Sequence, residues 1–168
     1  TYDVSEHKKM AKACSDEAMV LLKNKNGILP LKKEQKVFAI GPMLYEKKSL
    51  FGNWTLDGDI SITNSVADVL KTNGGNVVFA ESKYLWDDSF KDLGKCDAVI
   101  MLLGESRMMS GEGNSLSDIE LTPEQTEFVK RVHAKGKPII GVMMFPRPLA
   151  LEKIESYFDA ILYAWHSG

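Results

Sequence analysis

Five short apolar runs set the strongest constraint on the fold: KVFAIGP (36–42), NVVFA (76–80), DAVIMLLG (97–104), KPIIGVMMF (137–145) and DAILYAW (159–165). They are rich in β-branched residues and too short to be buried helices, so each reads as a strand covered on both faces. Between them lie segments with helical signals. NSVADVLKTNG (64–74) offers a cap, an apolar face and a glycine stop. TPEQTEFVKRVHAKG (122–136) has Thr122 as N-cap, Pro123 in the first turn and Gln125 at the capping-box position. LALEKIESYF (149–158) is helix-like. Strands that alternate with helices argue for a parallel sheet, because two parallel strands need a crossover, and the crossover buries the sheet. The expected fold class is therefore α/β: a mostly parallel sheet of about five or six strands with helices on both faces.

Ahead of the first strand, residues 6–24 carry apolar positions at helical spacing with Ser5 as cap, and KNKNG then stops the helix before ILPL. Residues 1–35 are thus expected to be a linker and lead-in helix, and residues 36–168 a single compact α/β sandwich. A length of 168 residues suits one core. The formal charge of -2 offers no field for nucleic acid or an anionic membrane surface, so neither is expected as a partner. No apolar run approaches the roughly 20 residues a membrane-spanning helix requires. Cys14 and Cys96 form no CxxC pair and the three histidines are scattered, so no metal site or disulfide framework is indicated. Periplasmic, secreted and cytoplasmic locations all remain open.

The long irregular stretches, 43–62 and 105–121, both leave the C-terminal end of a strand, where ligands sit in open parallel sheets. Neither carries a phosphate-binding glycine motif, and Pro42 removes a backbone donor where a phosphate would need one, so no nucleotide cofactor is expected. Gly104-Glu105-Ser106-Arg107-Met108, followed by Asp159 and His166, has the order of a serine-hydrolase triad, but Met108 occupies a place that the sharp nucleophile turn reserves for a small residue. Glu112, between Gly111 and Gly113, puts a carboxyl group at a loop tip that another surface can approach. Such a group can serve as a general acid when an apolar partner desolvates it, or it can be ordinary solvated surface; the local residues are compatible with both.

In combination, SDEAMVLLKNKNGILPL, VFAIGP, GNWTLDGD, DAVIMLLGES, GEGNSLSDIEL and GKPIIGVMMFPRPLAL…DAILYAWHSG resemble the second, α/β-sandwich domain of glycoside hydrolase family 3, in its bacterial β-glucosidase-like branch. The resemblance runs almost end to end. It implies a retaining β-glycosidase of the β-glucosidase or β-xylosidase class, acting on a β-linked oligosaccharide or glycoside, in which a (β/α)8 barrel supplies the nucleophile and this domain the acid/base. The matching position for the acid/base is Glu112, with Ser115 and Asp118 in register. Trp54, Glu105 and Ser115 are the implied substrate-side residues, with Glu105 also able to orient the loop backbone and Trp54 to anchor its own loop. The resemblance implies no metal or other cofactor. Without a barrel, the expectation is a part of a larger enzyme that is inactive alone; the alternative is a noncatalytic sugar-binding or interaction module of the same descent.

Overall fold

A computed structural model describes residues 4–73, 75–81 and 90–165. Six strands form one sheet: β1 (Val20–Asn24), β2 (Val37–Ile40), β3 (Val77–Phe79), β4 (Ala98–Gly104), β5 (Ile139–Met144) and β6 (Ala160–Tyr163), in the order β1-β6-β5-β4-β2-β3. All neighbours are parallel except β1, which runs antiparallel to β6 at the edge. The five parallel strands coincide with the five apolar runs.

Alternate residues of each strand point to opposite faces, and each face has its own core. On one side Phe38, Val99, Met101, Ile139 and Ile161 meet Phe128, Val129 and Val132 of α3 (Pro123–His133). On the other, Ala39 and Leu102 meet Ala67 of α2 (Val66–Thr72), together with Leu44 and Leu50 from the loop after β2. Helices therefore cover both faces, as the alternation of runs requires. α2 is short, and beside it an apolar groove of about 570 Å³ lies open over Ile100, Val142 and Leu162.

Three local readings are corrected. The lead-in helix, expected to reach Asn24, is α1 (Val4–Ala18), and Val20–Asn24 is strand β1; part of the 1–35 stretch thus joins the sheet. β1 is largely exposed, so pairing with β6, from Val20 opposite Tyr163 to Asn24 opposite Ala160, and not burial, fixes its conformation. No residue of α1 is buried. The helix-like 149–158 stretch contains only a 3-10 turn, Glu155–Tyr157. Pro146 and Pro148 precede it, and Ala150 donates its N–H to Ile119 O at 2.9 Å, which ties the start of the segment to the stretch before α3. α3 has the expected Thr122 cap, its hydroxyl accepting from Gln125 N at 3.3 Å, but the Gln125 side chain does not close a capping box. α2 does carry a complete box between Ser65 and Asp68; Gly74, expected as its stop, lies outside the described residues.

The topology locates the site. From β2 the chain crosses to β3 on one side, whereas β4, β5 and β6 follow on the other. The switch lies between β2 and β4, and a crevice forms above the C-terminal ends of the strands at such a switch. The two long loops, 41–65 and 105–122, start at that point.

Candidate active site

The loop after β4 is fastened at its root. β2 ends beside Met101, so β4 runs on to Gly104 past the end of its neighbour, and the backbone there needs other partners. Gln125 supplies them: its Nε2 donates to Gly104 O at 2.9 Å and its Oε1 accepts from Gly104 N at 3.2 Å. This is why the Gln125 side chain leaves the helix cap unclosed. Gly104 itself admits no side chain, since a Cβ would lie 2.3 Å from Met43 Cγ and 2.6 Å from Met144 O.

Glu105 comes next and turns inward. It is 4% exposed, and its carboxylate accepts from both Nε (3.2 Å) and Nη2 (2.5 Å) of Arg147, in the Pro-Arg-Pro turn after β5. The Tyr163 hydroxyl donates to Arg147 O. Burial, and then the nearby negative charge of Glu105, push the Tyr163 hydroxyl up to about 12. A carboxylate taken out of water in this way is tolerable because it is held by a two-pronged guanidinium.

Farther along, the loop leans on the loop after β2. Ser106 caps the 3-10 turn Arg107–Met109, its hydroxyl accepting from Met108 N. Arg107 donates its N–H to Ser49 Oγ at 3.3 Å. The Ser110 carbonyl accepts from two amides, Asn53 Nδ2 at 2.7 Å and Asn114 Nδ2 at 3.0 Å. Asn114 N then donates to Gly111 O at 3.1 Å, closing a turn with Glu112 near its apex. Gly111 has φ of 101°, in the region that disfavours side chains, and a Cβ there would lie 1.7 Å from Asn53 Nδ2.

Glu112 is exposed, and among the described residues its carboxylate has no hydrogen-bond or ion-pair partner. Ser115 is also exposed. Asp118 accepts from Glu120 N at 2.8 Å. Trp54 is 71% exposed, so its ring is not folded into its own loop; Thr55, beside it, holds that loop by donating to Phe51 O at 2.7 Å. Leu56 (95%), Met108 and Leu116 add further exposed apolar side chains on these two loops.

Of the residues singled out from the sequence, Trp54, Glu112 and Ser115 are exposed on the paired loops, whereas Glu105 is buried beneath them. Sequence reasoning missed Arg147, Gln125 and Asn53 as loop supports. A charge between two prolines at a strand end was the available signal for Arg147; nothing local marks Asn53. Of the residues in hydrolase order, Ser106 is a cap, Asp159 accepts from Ile139 N at 3.0 Å, and His166 lies outside the described residues.

The geometry has close counterparts. The chain is 29% identical to the periplasmic β-glucosidase of Salmonella typhimurium, over 96% of this chain and 25% of that protein. It is 32% identical to a β-xylosidase of Formosa agariphila, over 97% of this chain and 25% of that protein. The crystal structure of β-glucosidase from Listeria innocua superposes with a TM-score of 0.89 at 29% identity, covering 99% of this chain and 24% of that one. The chain thus spans about a quarter of the length of each. Residues 19–168 match the model of the glycosyl hydrolase family 3 C-terminal domain, and the chain belongs to that family.

Proposed function

We propose that this chain is the acid/base-bearing domain of a retaining β-glycosidase, of the β-glucosidase or β-xylosidase class, whose nucleophile resides on a barrel domain elsewhere in the full-length enzyme. The observation that carries the reading is an unpartnered, exposed carboxylate, Glu112, at the apex of a loop whose root and flank are fastened to the sheet. The exposed apolar side chains around it provide a surface for a second body to cover, and covering them would also dehydrate Glu112.

In that assembly Glu112 faces a barrel carboxylate at roughly 5 Å, the separation retention requires. Its protonated form gives its proton to the departing glycosidic oxygen while the nucleophile bonds to the anomeric carbon. Its carboxylate then takes a proton from the water that releases the sugar. Trp54 stacks on a sugar face and Ser115 lies on the substrate side of the loop. Glu105, paired with Arg147, holds the loop and does not touch the sugar.

The test uses the full-length enzyme with Glu112→Ala. The expected result is a fall in kcat/KM of about 10²- to 10⁴-fold on glycosides with poor leaving groups. Dinitrophenyl glycosides, which need no proton, should retain theirs, and azide should accelerate their turnover. Undiminished activity on the poor leaving groups would remove Glu112 from the reaction. Measurable sugar binding by residues 1–168 alone, in calorimetry, would favour a free-standing binding module.

A further inference from the structure

Besides the Arg107–Ser49 bond, the two crevice loops are joined beside Glu112 by the side chain of Asn53. Asn53 precedes Trp54 on the loop after β2. Its amide nitrogen reaches across to the Ser110 carbonyl at 2.7 Å and lies where a Cβ on Gly111 would be, two residues before and immediately before Glu112. The contact is therefore both a hydrogen bond and a steric stop. It limits how closely the Gly111–Asn114 turn can approach the loop after β2. Asn114 holds the same carbonyl from inside the loop, whereas Asn53 reaches it from the loop after β2.

The geometry points to Asn53 as a positioning residue for the acid/base: through Ser110 and Gly111 it fixes the height and direction of Glu112, and it couples that carboxylate to the adjacent Trp54. The inference rests on Glu112 being the proton donor. Positioning errors of about 1 Å cost on the order of a hundredfold when the displaced group acts in the transition state. Because Asn114 continues to hold Ser110, loss of Asn53 should cost less than loss of Glu112. The cost should also fall selectively on substrates that need the proton.

The experiment compares Asn53→Ala, Asn53→Asp and Glu112→Ala in the full-length enzyme, each with kcat/KM on a series of aryl glycosides and with a thermal unfolding midpoint. Asn53→Asp keeps the shape but turns a carboxylate oxygen toward the Ser110 carbonyl in place of the donor, so it tests the hydrogen bond with the space still filled. For both Asn53 variants the expected result is a loss of about tenfold on the poorest leaving groups, less than about twofold on dinitrophenyl glycosides, and little change in the unfolding midpoint. An equal loss across the whole series would assign Asn53 to binding or folding and overturn the proposal. So would an unchanged dependence on leaving group. If Glu112→Ala itself shows no such dependence, the acid/base assignment fails first, and the result is distinguishable because that variant carries an intact Asn53.

Discussion

The root and the tip of the loop after β4 are a few residues apart and physically opposite. At the root, Gly104 and Glu105 are buried, and their polar groups are matched by Gln125 and Arg147. At the tip, Glu112 to Ser115 are exposed, and the bonds there shape the turn without engaging the Glu112 carboxylate. The difference separates two requirements that one residue cannot meet. On the proposed reading, the proton donor must stay available to a partner, whereas the peptide that carries it must be fixed, and buried polar contacts fix a peptide far better than surface ones. Substitutions at the root should therefore register mainly as stability, and substitutions at the tip mainly as activity.

The largest effect expected on stability is at the Glu105–Arg147 pair. Arg147→Ala leaves a buried carboxylate without its counter-charge, a loss of about 3–5 kcal/mol. Denaturant unfolding of the chain would measure it, and a loss below about 1 kcal/mol would mean that water replaces the guanidinium and that the root is not sealed. Gln125→Ala comes next: it strips partners from the N–H and C=O of Gly104, a cost of about 1–3 kcal/mol. Unfolding curves of the single and double variants would also reveal whether the two clasps act independently. Close neighbours in one network are expected to be non-additive.

The root also has a pH signature. The Tyr163 hydroxyl loses its proton at about 12 in the folded chain against 10.0 for a free tyrosine, chiefly because it is buried and then because Glu105 is near. Between these values the folded state keeps a proton that the unfolded state has released. The associated stability is thus complete below pH 10 and declines as pH rises toward 12. Tyr163→Phe should flatten that alkaline decline. Asp68 provides the opposite case on the surface: the Lys47 ammonium and the Ser65 backbone and hydroxyl hold it below its usual range, so its contribution is complete above about pH 4 and is lost on acidification.

Legibility from sequence follows the same division. The parallel strands were readable because burial on both faces forces continuous apolar runs, and α3 because its cap and proline stand in order. β1 was not. Val20, Leu21 and Leu22 continue the helical spacing of α1, and only the pairing with β6, distant in sequence, turns them into an edge strand. Residues 149–158 show the same override in reverse, since the proline-bracketed Arg147 turn and the Ala150–Ile119 bond prevail over a helical pattern. At the site, Glu112 was distinguishable from ordinary surface only through the family resemblance, because an exposed loop acid has no local mark of function. Glu105 lies at the strand end where the pattern put it, but its burial depends on Arg147, whose approach no spacing rule encodes.

The smallest effect is expected at Ser115, and it bears most directly on the comparison between root and tip. Its side chain is exposed and, among the described residues, has no hydrogen-bond partner, so Ser115→Ala removes nothing the isolated fold uses. Stability should change by no more than about 0.5 kcal/mol, within the range of surface substitutions. A larger loss would mean that the tip is held as the root is. With stability unchanged, a rise in KM of the full-length enzyme would place the hydroxyl against the substrate. An unchanged KM would leave the proposed role of the tip to Glu112 and its immediate supports.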